Sequence, residues 1–162
     1  MSEIKIYNTP IEIGIRILLI LKRCESAMEL NSIIIYDYLM LHISDFDKKY
    51  QSLHPANPYH ATELLAKRKV VQNAINLLIK KGLVNIVCSE DGIRYKDSEI
   101  GNIFLSYFES DYYFKLCSNA DIVIKRFEDF NEVELNKFIN NSIHNWKNEN
   151  ETDILFRGEF VE

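Results

Sequence analysis

Between Tyr59 and Tyr95 the chain carries a long basic helical pattern, a glycine, a short β run and an Asp-Gly turn, in that order, and few folds accommodate such a succession. Residues 58–81 show helical periodicity, and Gly82 follows where a C′ glycine would end the helix. Residues 83–88 and 93–96 then flank Ser89-Glu90-Asp91-Gly92, a hairpin signal. Helix, stop and hairpin together read as the closing half of a winged helix-turn-helix domain, a fold that contacts either DNA or protein.

The upstream half should supply the other helices. Thr9-Pro10-Ile11-Glu12 combines a hydroxyl cap, proline at the first helical position and a glutamate three residues after the cap, which is a strong start signal. The helix that follows is apolar nearly all round, through Ile13, Ile15 and the run from Ile17 to Leu21, so it should be central. Glu12 and Arg16 lie four apart within it, a spacing that suits an intrahelical ion pair or a partner-facing pair. Residues 30–43 predict a second helix with few polar positions, and Asp37 is conspicuous there. A carboxylate in such company has to be hydrogen-bonded, ion-paired or placed at a protein interface. Residues 45–58 then form a polar loop containing Pro55 and Pro58, longer than the turn of a simple DNA reader; loops of this kind are commonly functional or disordered.

In the third helix Leu64, Arg68, Val71, Ile75 and Leu78 define one face, while Lys69, Asn73, Asn76 and Lys80 define another. Amides can read bases and lysines can neutralise phosphates, so these four, with Arg94 and Lys96 on the hairpin, are the candidate DNA contacts. A plain solvated face has the same composition. Beyond the hairpin, residues 98–117 and 121–130 predict further helices. Asn131-Glu132-Val133-Glu134 reads as a capping box opening a helix with Leu135, Phe138, Ile139, Ser142 and Trp146 on one stripe. Residues 152–162 alternate enough for a terminal strand or arm. The expected fold class is mainly α (α+β): a winged-helix-like core over residues 1–117, with a hairpin wing, and a helical extension over residues 118–162.

The chemistry for catalysis is missing from the pattern. The glycines are isolated, so there is no phosphate cradle, and the histidines form no H-E-x-x-H pair. The three cysteines show no C-x-x-C spacing, which points to neither a disulfide framework nor a zinc site. A hydrolase built on Ser52, His54 and His60 is the weakest reading, because no nucleophile motif accompanies them. No metal and no cofactor are expected. The net charge of −5 argues against a general nucleic-acid binder, although a local basic face remains compatible with weak duplex contact. No apolar run approaches the length that spans a bilayer and no leader pattern opens the chain, so a cytoplasmic protein without a membrane role is expected.

Tyr7-Asn8-Thr9-Pro10-Ile11-Glu12 with Arg16, Tyr36-Asp37-Tyr38-Leu39 with Leu41-His42, Ser52-Leu53-His54-Pro55, Glu63-Leu64-Leu65 with Lys67-Arg68, Lys81-Gly82-Leu83-Val84 and Asp91-Gly92-Ile93-Arg94-Tyr95 occur in an order that resembles a known family. Over residues 7–108 the chain is similar to the middle component of ABC-three-component systems, including the small accessory subunit of Lamassu antiphage operons. The resemblance implies a non-enzymatic adaptor that works with an SMC-like ABC ATPase and an effector nuclease. Glu12, Arg16, Asp37 and His54 are the expected partner-binding residues, polar groups set into the first two helices and the long loop. A stand-alone winged-helix transcription regulator is the alternative, with Lys69, Asn73, Asn76, Lys80, Arg94 and Lys96 on DNA.

Overall fold

The computed structural model describes residues 9–55 and 59–150, with the side chains as far as residue 145. Within them lie α1 (Pro10–Arg23), α2 (Leu30–Leu41), a 3-10 turn (Ile43–Asp45), α3 (His60–Lys80), β1 (Val84–Ser89), β2 (Gly92–Asp97), α4 (Glu99–Leu105), α5 (Asp111–Arg126) and α6 (Glu132–Asn150). The protein is mainly helical with one antiparallel hairpin, an α+β arrangement consistent with a winged-helix-like fold. The expected terminal strand over residues 152–162 and the side chain of Trp146 lie outside the described residues.

The sequence signals at the helix ends act as their chemistry requires. Thr9 caps α1 by accepting the Glu12 N–H at 3.2 Å, which satisfies one of the donors that a helix start leaves open. At α6 the box is reciprocal: Asn131 Oδ1 accepts from the Glu134 N–H and Glu134 Oε2 accepts from the Asn131 N–H, both at 2.9 Å. Gly82 ends α3 with φ +72°, and the hairpin register runs unbroken from Val84↔Asp97 to Ser89↔Gly92, leaving Glu90 and Asp91 as a two-residue turn. Met28 adds a single bridge to Tyr95 on the outer side of β2.

α1 and α2 are the core. Ile17 to Leu21 are all at most 1% exposed, and every residue from Ser32 to Leu41 is buried. α1 touches α2, α3, α4, α5 and β2, so the remaining elements assemble around it. Two close approaches define this packing. A Cβ on Gly14 would sit 3.3 Å from Leu78 of α3, and one on Gly101 of α4 would meet the Leu83 carbonyl oxygen at 2.4 Å.

Three boundaries differ from the sequence reading. The helix expected over 98–117 is broken at residues 106–110, because Ser110 starts a new helix by accepting the Tyr113 N–H at 3.1 Å. That new helix then runs through the expected break near residue 120. Asn119 sits inside it as a buried residue, and its side-chain amide donates to the Met40 carbonyl at 3.0 Å, so a residue in the gap between the two expected helices is a tie between α5 and α2. The division drawn between residues 117 and 118 falls within α5. On α3 the inward face carries Lys67 rather than Arg68: Lys67 is buried and Arg68 is exposed.

The long loop is also more structured than a simple connection. The Leu53 and His54 N–H groups both donate to the Leu41 carbonyl, at 3.0 and 3.3 Å, and the Ser44 N–H donates to Ser52 Oγ at 3.0 Å. These bonds satisfy the end of α2 and bring His54 back over α1 and α5. Gly101→Ala should destabilise the chain by about 2 kcal/mol, since a backbone oxygen cannot yield as a side chain would, and Gly82→Ala by about 1 kcal/mol through left-handed strain. Urea unfolding of both variants checks the order.

Candidate functional site

The four residues singled out by sequence converge on one network. Arg16 on α1 donates from Nε to Asp37 Oδ1 at 2.6 Å and from Nη2 to Asp37 Oδ2 at 3.2 Å, so the guanidinium engages the α2 carboxylate through both oxygens. Its Nη1 donates to Glu12 Oε1 at 3.0 Å, one helical turn back. Lys67 Nζ on α3 donates to Asp37 Oδ2 at 2.8 Å. Tyr112 of α5 donates its hydroxyl to the same Glu12 oxygen at 2.8 Å, and His54 Nε2 lies 3.2 Å from that hydroxyl. Glu12, Arg16, Asp37 and His54 are thus joined, and Lys67 and Tyr112 complete the set.

Burial decides what such a network does. Arg16 is 1% exposed and Asp37 is 0% exposed, with Lys67 and His54 also buried and Glu12 at the rim. Two cations face two carboxylates, so the formal charge of the four ionic groups cancels. Burial by itself would raise the Asp37 carboxyl, but Arg16 and then Lys67 outweigh it and hold the group well below the usual carboxylate range. Burial likewise opposes the Arg16 charge, and Asp37 followed by Glu12 overcomes it. Burial and the bond to Glu12 push the Tyr112 hydroxyl upward. A cleft of about 340 Å³ between α1 and α3 reaches Arg16, Asp37 and Lys67 from outside.

A second polar cluster adjoins the first around Tyr38. His42 Nε2 lies 2.8 Å from Glu63 Oε1 at the start of α3, the His60 Nδ1 contacts the Tyr38 hydroxyl, and His60 lies 3.5 Å from Asp45. The His42 and His54 rings meet edge to face at 6.3 Å. Burial keeps His60 below the ordinary histidine value; Asp45 opposes that and His42 adds to it. Among the described residues no group of three or more His, Cys, Asp or Glu is placed to hold a metal.

The candidate DNA contacts fall into two sets. Lys69, Asn73, Asn76 and Lys80 lie exposed on α3, with the Gln72 amide donating to Asn76 at 3.1 Å. Arg94 and Lys96 are occupied by the protein itself. Arg94 pairs with Glu132 of α6, one of its two bonds measuring 3.0 Å, and Lys96 donates to the Glu25 carbonyl at 2.8 Å. The hairpin cations therefore fasten the wing to α6 and to the α1–α2 connection.

Sequence reasoning missed Lys67 and Tyr112 as members of the first network, and His42 as a member of the second. Lys67 has a readable signal: placed four residues before Val71 and three after Leu64, it sits on the apolar stripe of α3. Tyr112 offers none, because its partner is 100 residues away.

Asp37→Ala should cost about 3–5 kcal/mol, since it leaves the Arg16 and Lys67 charges buried without their shared carboxylate. The pH dependence follows from the same groups. An Asp with a depressed folded pKa contributes stability that is complete above the unfolded value, about 3.9, and drains as pH falls through the folded one. His60, also depressed, takes up a proton more readily when unfolded, so stability should already begin to decline below about pH 6.5. Thermal melts from neutral to acidic pH should show both declines, the lower one abolished in Asp37→Asn.

No curated protein and no solved structure matches the chain. The family described as ABC-three component (ABC-3C) system Middle Component 2 matches residues 6–149, a span that runs from before α1 to the last turn of α6 and holds both polar networks. With most of its length matched, the chain belongs to the ABC-three-component system Middle Component 2 family.

Proposed function

We propose that the chain is a non-catalytic adaptor that links an SMC-like ABC ATPase to an effector nuclease in a bacterial antiphage complex, in the cytoplasm, as the small accessory subunit of a Lamassu-type operon would. Membership of the middle-component family carries this reading. The family description places the chain in a three-component system, so partners within that system follow from it, and the ATPase and nuclease are the chemical identities proposed for them.

The packing supports the adaptor reading in a particular way. Arg16, Asp37 and Lys67 lock α1, α2 and α3 together, and Glu12, Tyr112 and His54 extend the lock to α5 and the long loop. A rigid helical block of this kind presents a fixed outer surface, which favours association because little side-chain and loop freedom remains to be lost on binding. Glu12, Arg16, Asp37 and His54 act in partner binding chiefly by holding the α1 start, the loop and α5 in register. Among the described residues no helix is long and apolar enough to cross a membrane.

Co-expression with an SMC-like ABC ATPase of a three-component system should yield a stable complex, and the purified chain alone should cleave neither nucleic acid, peptide nor nucleotide. Hydrolysis by the isolated chain would defeat the reading. On duplex DNA the chain alone should bind weakly, without sequence preference, and Lys69→Glu with Lys80→Glu should weaken that further. Site-specific nanomolar binding at physiological salt would instead favour the transcription regulator.

A further inference from the structure

Between the α1–α2 connection, α2, the end of α5 and the start of α6 lies a cavity of about 440 Å³ that neither polar network uses. Ser32 and Tyr36 stand one turn apart on the same face of α2 and both line it, at 3% and 8% exposure. Among the described residues neither hydroxyl has a hydrogen-bond partner. They are exceptions on that helix: Asn31 meets Asn136, Asp37 holds Arg16 and Lys67, and Tyr38 meets His60. A buried hydroxyl without a partner forfeits the bonds it made to water, so two of them lining one cavity point to a polar occupant.

The charges around the cavity give the sign of that occupant. Arg23 and Arg94 line it, but each already holds a carboxylate, Asp121 and Glu132 respectively. Glu25 and Glu128 line it as well, both exposed, and among the described residues neither carboxylate forms an ion pair. Lys96 reaches the main-chain carbonyl of Glu25, not its side chain. The uncommitted charge is therefore negative. Burial pushes the Cys24 thiol up to about 11 and the Tyr36 hydroxyl up to about 12, so both stay protonated at neutral pH and add no charge. Phe130 supplies an open aromatic wall: it stands edge to face with the buried Phe127 at 5.1 Å and is itself 40% exposed.

We propose that this cavity receives an arginine side chain from a protein partner, its guanidinium shared by the Tyr36 hydroxyl, Glu25 and Glu128 and its plane against Phe130. A guanidinium carries donors only, which suits a hydroxyl oxygen and two carboxylates as acceptors. It is planar, weakly hydrated and stacks on aromatic rings, and these properties favour it over a lysine ammonium here. Free arginine fits less well, because its α-carboxylate would face Glu25 and Glu128, whereas an arginine within a chain brings neutral peptide groups. That the ATPase supplies the arginine rests on the adaptor reading; the chemistry of the cavity does not.

Titrating the full chain with N-acetyl-arginine amide, followed by NMR, tests the cavity without any partner. The probe should shift the Tyr36 and Phe130 ring signals, and Glu25→Gln with Glu128→Gln should raise its Kd about tenfold. Tyr36→Phe should also weaken it while leaving the melting temperature unchanged or higher, because the hydroxyl removed has no partner. A probe that shifts neither ring overturns the proposal. Equal binding of the corresponding lysine amide, or of the uncharged citrulline amide, overturns it too, and free arginine binding as tightly as the amide overturns the protein source. In co-purification with an SMC-like ABC ATPase the two glutamine substitutions should weaken the complex about tenfold. An undiminished complex overturns the partner arginine and leaves the adaptor reading standing. Failure of the wild-type chain to bind the ATPase defeats the adaptor reading instead, and the amide titration still decides the cavity.

Discussion

The contact between Arg16, Asp37 and Lys67 governs how the first three helices can sit. It takes one residue from each of α1, α2 and α3 and places the shared carboxylate at 0% exposure. Apolar packing alone would allow α1 and α2 several rotations, because both are hydrophobic around most of their circumference. A buried carboxylate allows far fewer, since any rotation that breaks the pairing leaves charge in the core without a partner. The triad therefore specifies orientation more than it adds net stability; paired charges in an interior recover little beyond their own desolvation.

Neutral and ionic contacts divide the work at the outer shell. Asn119 ties α5 to the end of α2 through the Met40 carbonyl, and Asn31 meets Asn136 to hold α6 against α2. Arg94 joins the hairpin to the start of α6 through Glu132, so the wing serves as a strut for the C-terminal helices. This arrangement consumes two of the cations that a DNA-reading wing would expose and leaves the lysines and amides of α3 as the remaining basic face. The hairpin thus spends both cations on contacts within its own chain.

The histidine cluster shows how the long loop and the third helix are joined. His42 reaches Glu63, His60 reaches Tyr38 and Asp45, and His54 is carried to Tyr112 by loop bonds to the Leu41 carbonyl. Such residues invite a catalytic reading in a bare sequence. Placed together, they interlock α2, the loop, α3 and α5 as hydrogen-bonding partners of one another.

Local chemistry was enough to read much of this protein. The caps at Thr9 and Asn131, the glycine stop at Gly82 and the Glu90-Asp91 turn each depend on residues within a few positions, so the sequence by itself determined the starts of α1 and α6, the end of α3 and the hairpin. The buried state of Asp37 was equally legible, because a lone carboxylate in an apolar helix must find a partner. Which partner it found was not. Lys67 lies 30 positions away and Tyr112 lies 100 from Glu12, and only the packing of α2 on α3 and of α1 on α5 brings them within hydrogen-bonding distance. The same holds for the break before Ser110 and the continuity of α5 through Asn119: helical periodicity ran through the first and lapsed at the second, and the structure reverses both, since Ser110 caps a new helix and Asn119 gained the Met40 carbonyl.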